Sequence, residues 1–194
     1  MAQALAESIF DVLYLIGVIS AGIIMFTRGK SPLVKKFGAM ATLLGCGDAF
    51  HLVPRMVALW TTGLEANAPA LGVGKLVTSI TMTVFYLILY YIWRDRYGVK
   101  DKKGLTAAMW LLSVLRIGLC LLPQNQWLIY RQPLFYGVLR NVPFAVMGII
   151  VILLFAKEGK KDPAFRHMPL AVTLSFAFYI PVVLFSSIYP LVGM

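Results

Sequence analysis

Eight residues that can carry charge or form strong hydrogen bonds lie within or beside long apolar segments of this sequence. They are Asp11, Asp48, His51, Arg55, Lys75, Arg116, Arg140 and Asn141. A charged side chain near the centre of a membrane-spanning helix costs at least about 2.5 to 3.5 kcal/mol. Each of these residues is therefore a candidate for ligand binding, proton transfer or a buried ion pair.

Three of these residues fall on one stripe of a single predicted helix. Asp48 and Arg55 differ by only about 20° around a helix axis, and His51 lies between them. Arg55 either folds back to complete a ladder with them or reaches outward to water and leaves an available cation.

Cations outnumber carboxylates among these residues, since four Arg or Lys face only two Asp. Buried ion pairs would neutralise part of this excess positive charge, with Asp48 bonded to Arg116 and Asp11 bonded to Arg140. The alternative is a pocket that holds an anion, such as a carboxylate, a phosphate or a lipid head group, through guanidinium groups. The residues expected to bind such a ligand are Arg55, Arg116, Arg140, Asn141, Lys75 and Asp11.

The elements that position these residues are predicted to be membrane-spanning helices. The chain is 60% hydrophobic and 13% charged, whereas a soluble domain is about half apolar and about a quarter charged. A spanning helix needs roughly 20 mostly apolar residues. The windows of that kind are about 8–27, 37–60, 70–93, 104–122, 134–156 and 168–193. We therefore predict an all-α, polytopic bundle of about six helices that forms a single transmembrane domain over residues 1–194.

The basic residues predict how this bundle is oriented. Thirteen of the 18 Lys and Arg residues lie in three alternate connections between the windows, within residues 28–36, 94–103 and 157–166. The positive-inside rule places these loops in the cytoplasm and both termini outside the cell membrane. All eight residues named above then lie in the outer half. The net charge of +10 indicates topology and not nucleic-acid binding, because it is concentrated between apolar runs.

Metal and cofactor chemistry is not expected. His51 is the only histidine inside an apolar window, and Cys46 and Cys120 lie in separate apolar windows. The sequence therefore predicts neither haem ligation by two histidines nor a histidine-rich zinc site. The expected partners are membrane lipid and an anionic small molecule or lipid head group, and the protein is also compatible with a homo-oligomer.

Part of the sequence resembles a known family. The stretch GAMATLLGCGDAFHL, followed by GKLVTSITMTVFYLILYYIW, resembles the helix pair around the Gly-Asp motif of the lysoplasmalogenase (YhhN) family over residues 37–93. The resemblance implies a membrane hydrolase of lysoplasmalogen vinyl ethers. It places Asp48 in acid–base chemistry, next to Gly47 and assisted by His51. The chain departs from the family's usual eight helices and has no second Gly-Asp or Ser-Asp motif in its later half.

Three classes of function follow from these observations. The leading interpretation is a binding or transport protein whose outward-facing, net-basic pocket holds an anionic small molecule or lipid head group. The second is a lysolipid hydrolase that resembles lysoplasmalogenase, and the third is a structural or sensory membrane subunit. The surplus of cations favours binding of an anion over catalysis, so the sequence leans against an enzyme.

Overall fold

The computed structural model describes residues 1–177, and that part of the chain is helical, which confirms the all-α prediction. Its α-helices are α1 (Ala2–Arg28), α2 (Pro32–Trp60), α3 (Gly63–Ala66), α4 (Ala68–Arg96), α5 (Lys103–Leu121), α6 (Leu134–Glu158) and α7 (Met168–Ala177). Short 3-10 helices cover Pro123–Asn125 and Gly159–Lys161. No β-strand is present within residues 1–177.

Among the described residues, four helices, α1, α4, α5 and α6, are long and apolar enough to cross a membrane. On α1, Phe10, Leu13 and Ile16 are each at least 60% exposed, as expected of side chains that face lipid. The predicted window 37–60 lies within α2, which is not among these four helices. The window 168–193 begins with α7 and continues from residue 178 outside the described residues. A count of six spans stays a prediction.

Glycines bring α2 into close contact with a helix on each side. A Cβ atom on Gly38 would collide with the backbone of α1, and one on Gly74 of α4 would collide with the backbone carbonyl of Phe50 in α2. The hydroxyl of Thr78 also donates a hydrogen bond of 3.0 Å to the carbonyl oxygen of Gly47. Small residues and hydroxyl groups are the usual means of close helix packing in an apolar medium. They place α2 between α1 and α4.

α4 is the central helix of the described structure. It packs against α2 on one side and against α5 and α6 on the other. The main core lies around its second half, where Tyr86, Tyr90 and Trp93 pack near Met147 and Phe155 of α6, and each of these side chains is at most 2% exposed. This core holds α4 as a scaffold between the two groups of helices.

The three basic connections meet at one end of the bundle, which we call the basic end. Lys36 forms an ion pair with Asp95. Arg96 donates two hydrogen bonds of 2.8 and 3.1 Å to the carboxylate of Asp162 and lies over the ring of Phe165. These bonds hold the pKa of Asp162 below its usual range. The contacts show that the basic clusters share one end of the bundle, as antiparallel neighbouring helices require.

We predict that Gly74→Ala destabilises the protein. The added Cβ would overlap the backbone of α2, and such overpacking costs typically about 1–3 kcal/mol. The control is Gly17→Ala on α1, because a Cβ at Gly17 meets no atom within 4 Å and alanine is better than glycine inside a helix by about 1 kcal/mol. The melting temperature of the purified protein in detergent should fall only for Gly74→Ala. A fall of the same size in both variants would contradict the close α2–α4 packing.

Candidate functional site

Two hydrogen-bonded pairs that contain a carboxylate join α1 to α2, one near the middle of both helices and one nearer the end opposite the basic end. Arg55 donates from Nε and Nη2 to Oε2 of Glu7, at 3.1 and 3.0 Å. The hydroxyl of Tyr14 donates to Oδ2 of Asp48 at 2.6 Å. The pairs are two helical turns apart on both helices, so antiparallel packing holds them in one register. We call these two pairs the α1–α2 ladder.

Asp11 lies on α1 between the two pairs of the ladder. It is 7% exposed, and within the described part of the chain no hydrogen bond to its carboxylate is present. Its electrostatic neighbours are Arg55 and Glu7. Sequence reasoning missed Glu7 because it lies just outside the first apolar window. The sequence does contain a signal for Glu7, because Glu7, Asp11 and Tyr14 are spaced so that they fall on one face of a helix. With Glu7 included, the group contains three carboxylates and four cations, so the excess of positive charge is smaller than predicted.

His51 turns away from this ladder and lies toward α4. Gly74 of α4 lies against the Cα atom of His51, and Lys75 and Arg55 are its electrostatic neighbours. The Nδ1 atom of His51 is buried without a hydrogen-bond partner in the part of the chain that the structure describes. The polar stripe expected on α2 is thus divided between two neighbouring helices. Arg55 does not fold back onto Asp48 or His51 but is bonded to Glu7.

Lys75 is exposed at the start of α4. It lies within electrostatic range of Arg140 and Arg55, and its ammonium group makes no hydrogen bond or ion pair with any other described residue. Further along α4, the hydroxyls of Ser79 and Thr83 donate to carbonyl oxygens one turn earlier in the same helix. These two hydroxyls bond to the backbone of α4, whereas the side chain of Lys75 is exposed.

Arg140 holds the connection between α5 and α6 against the bundle. Its Nη1 atom donates to Oδ1 of Asn125 at 2.8 Å, and its guanidinium lies 4.2 Å from the ring centroid of Trp127. A longer contact of 3.5 Å reaches Gln132. Asn125 is fully buried and donates to three carbonyl oxygens at the C-terminal end of α5, at 2.7 to 3.2 Å. Arg140 therefore stabilises a side-chain cap of α5.

Trp127 packs the connection between α5 and α6 against α4. Its indole N–H donates to the carbonyl oxygen of Cys120 at 2.8 Å, and the side chain is 9% exposed. A Cβ atom on Gly72 of α4 would overlap the carbonyl group of Trp127, so only glycine permits this approach. The loop is thus folded over the end of α4, close to Lys75.

Arg116 is buried between α4, α5 and α6, with 1% of its surface exposed. Its guanidinium lies 3.6 Å from the ring centroid of Phe144, and Phe144 contacts the ring of Tyr86 at 5.0 Å in an edge-to-face arrangement. A cation over an aromatic face is stabilised by the ring quadrupole. Arg116 is therefore part of the core and lies away from the exposed surface at Lys75.

The remaining predicted residue, Asn141, donates to the carbonyl oxygen of Gly137 at 2.8 Å within α6. Ion pairs among the described residues include Lys36–Asp95, Arg55–Glu7 and Arg96–Asp162. The two pairings suggested by the sequence, Asp48 with Arg116 and Asp11 with Arg140, are not among them. The carboxylates of α1 and α2 are used within the α1–α2 ladder instead.

The predicted residues thus form two groups with α4 between them. The carboxylates lie on the α1–α2 side, and Arg116, Arg140 and Asn141 lie on the α5–α6 side. Arg55, Lys75 and Arg140 connect the groups electrostatically, and we call them the cationic row. In the described part of the chain, no three His, Cys, Asp or Glu side chains are arranged to hold a metal ion. Comparison with protein-family models, curated proteins and solved structures found no match.

We predict that Arg140→Gln loosens the connection between α5 and α6. Hydrogen bonds to charged groups contribute about 1.5–3 kcal/mol, so cleavage by trypsin after exposed Arg131 should accelerate by roughly tenfold or more. The control is Lys75→Gln, which removes one positive charge at the same end but no hydrogen bond to the loop. The measurement is a mass-spectrometric time course of the peptide ending at Arg131. Equal cleavage rates in wild type and Arg140→Gln would show that Arg140 does not hold the loop.

Proposed function

We propose that this chain is a multi-pass protein of the cell membrane that binds or transports an anionic small molecule or lipid head group. The observation that carries the proposal is that Lys75 is exposed, makes no hydrogen bond within the described residues, and has Arg140 and Arg55 as its electrostatic neighbours. Like charges held close together repel one another, and a bound anion relieves that repulsion. A phosphate or carboxylate group has the chemistry that this position requires.

The three members of the cationic row have different parts in this proposal. Lys75 provides the direct contact, because its ammonium group is available. Arg55 and Arg140 already have partners in Glu7 and Asn125, so they contribute positive potential and orient the ligand. Arg116 adds positive potential from inside the core, where it is stacked on an aromatic ring. The ligand reaches this position from the end opposite the basic end.

We also propose that α2 and the helix that begins at Met168 cross the membrane, which gives six spans. The support for α2 is its position between two helices that are apolar enough to span. Its charged residues face neighbouring helices, since Asp48 and Arg55 bond to α1. Ionisable residues inside membranes almost always face the bundle interior in this way. The basic end is then cytoplasmic and both termini are outside.

We predict that Lys75→Gln weakens binding of a phosphate-bearing ligand by roughly tenfold, since a charge-assisted hydrogen bond is lost. The probes are dihexanoyl phosphatidylglycerol and inorganic phosphate, each titrated calorimetrically into the protein in neutral detergent. The matched control is Arg131→Gln, which removes an exposed charge at the same end and should leave the affinity unchanged.

The two probes distinguish the sources of the ligand. Binding of the lipid alone identifies a lipid head group, whereas equal binding of both probes identifies a small anion. The proposal is wrong if neither probe binds wild type at millimolar concentration, or if Lys75→Gln and Arg131→Gln bind as wild type does.

The bond between Tyr14 and Asp48 favours a second candidate function, hydrolysis of a lysolipid. Asp48 is a partly buried carboxylate aligned by a hydroxyl group, and His51 on the same helix has a buried Nδ1 atom without a partner among the described residues. The carboxylate of Asp48, aligned by Tyr14, suits acid–base chemistry, and His51 lies apart from it on the side of α4. Under this proposal, Asp48→Asn should abolish turnover of a lysoplasmalogen by purified protein, whereas Asp101→Asn at the basic end should not. Turnover that survives Asp48→Asn would remove Asp48 from the mechanism.

A further inference from the structure

Arg55 is shared between two groups of charged residues. On one side it donates two hydrogen bonds to Glu7 and is an electrostatic neighbour of Asp11. On the other side it lies within electrostatic range of Lys75 and His51. A single guanidinium therefore stabilises the carboxylates of α1 and also belongs to the cationic row.

Asp11 differs from the other two carboxylates near Arg55 because it accepts no hydrogen bond from the described residues. Glu7 is bonded to Arg55, and Asp48 is bonded to Tyr14. Asp11 is more than nine-tenths buried and accepts no hydrogen bond from any described residue, so its negative charge is offset only through space. A buried charge that loses its counter-charge is strongly destabilised. Uptake of a proton removes that charge.

We propose that binding of an anion beside Lys75 is coupled to uptake of one proton by Asp11, with Arg55 as the residue that both events share. This inference rests on the anion site proposed above. The buffered solvent supplies the proton: its bond to a hydronium ion or a buffer acid breaks, an O–H bond forms at a carboxylate oxygen of Asp11, and no other covalent bond changes. The ligand class is thus an anion together with a proton.

The physical basis of the coupling is competition for Arg55. An anion at Lys75 attracts the guanidinium of Arg55 toward Lys75. It also adds a negative charge near the α1–α2 ladder. Both effects disfavour the ionised form of Asp11, because the bound anion already places one negative charge nearby. Thermodynamic linkage makes this effect reciprocal. If a bound anion increases the proton affinity of Asp11, then a proton on Asp11 increases the affinity for the anion by the same factor. Affinity for the anion should therefore rise as the pH falls.

Other titratable groups around Asp11 need to be distinguished from it. On α1 these are Glu7 and Tyr14, and from α2 they are Arg55, Asp48 and His51. Protonation of His51 would also favour an anion, because His51 lies near Lys75. The variants Asp11→Asn and His51→Gln separate the two sources. Glu65→Gln is the matched control, since Glu65 is an exposed carboxylate outside the bundle at the same end.

The experiment measures protons taken up per bound anion. Dihexanoyl phosphatidylglycerol, or sulfate if only free anions bind, is titrated into the protein in buffers of different ionisation enthalpy, because neither probe changes charge near neutral pH. Wild type, His51→Gln and Glu65→Gln should each take up about one proton, and affinity should rise by up to about tenfold per pH unit on acidification. Asp11→Asn should bind the anion but take up no proton.

Two results would overturn the inference while leaving the anion site intact. One is anion binding by wild type without proton uptake, and the other is uptake that persists in Asp11→Asn. Absence of anion binding at every pH would instead overturn the proposed function itself. If Asp11→Asn does not fold, infrared difference spectra of wild type provide the second measurement. A carboxylic acid C=O band should appear on anion binding in wild type and in His51→Gln, and its absence in both contradicts the proposal.

Discussion

Close packing of α2 between α1 and α4 is the constraint on which the polar half of this protein depends. Gly38 and Gly74 remove the side chains that would keep the three helices apart. At the resulting separation, Arg55 and Asp48 reach across to Glu7 and Tyr14. Ionisable groups in an apolar bundle must find partners of this kind, because neither lipid nor bulk water is available to satisfy them. The helix contacts and the hydrogen bonds therefore stabilise one another.

α4 determines how the charges are divided. Because it packs against α2 on one side and against α5 and α6 on the other, the carboxylates near the chain's beginning do not form ion pairs with the arginines of α5 and α6. Those arginines use other chemistry. Arg116 stacks on Phe144, and Arg140 bonds to Asn125 and stacks on Trp127. The cationic row, with Arg55 on α2, Lys75 on α4 and Arg140 on α6, supports the proposed binding of an anion.

Much of the architecture was predictable from the sequence, but the pairing of its polar residues was not. Apolar windows of spanning length predicted the helices, because helix length in a membrane is set by bilayer thickness. The partner of Arg55 was missed because Glu7 precedes the first window, and only the α1–α2 register brings it close. Similarly, Arg140 was expected to meet a ligand or Asp11. The connection between α5 and α6, which precedes Arg140 in the chain, brings Asn125 and Trp127 to it.

The sequence by itself determined the all-α class, the positions of the polar residues along each helix and the clustering of basic residues at alternate connections. These features depend on local composition and helical periodicity, which need no knowledge of neighbouring helices. Only the tertiary structure decided which side chains meet. The rotation of α2 turns His51 toward α4 and Asp48 toward α1, although both lie on the same part of the helix. The physical reason is that contacts between helices depend on glycine positions, register and rotation jointly, and one helix read alone contains only part of that information.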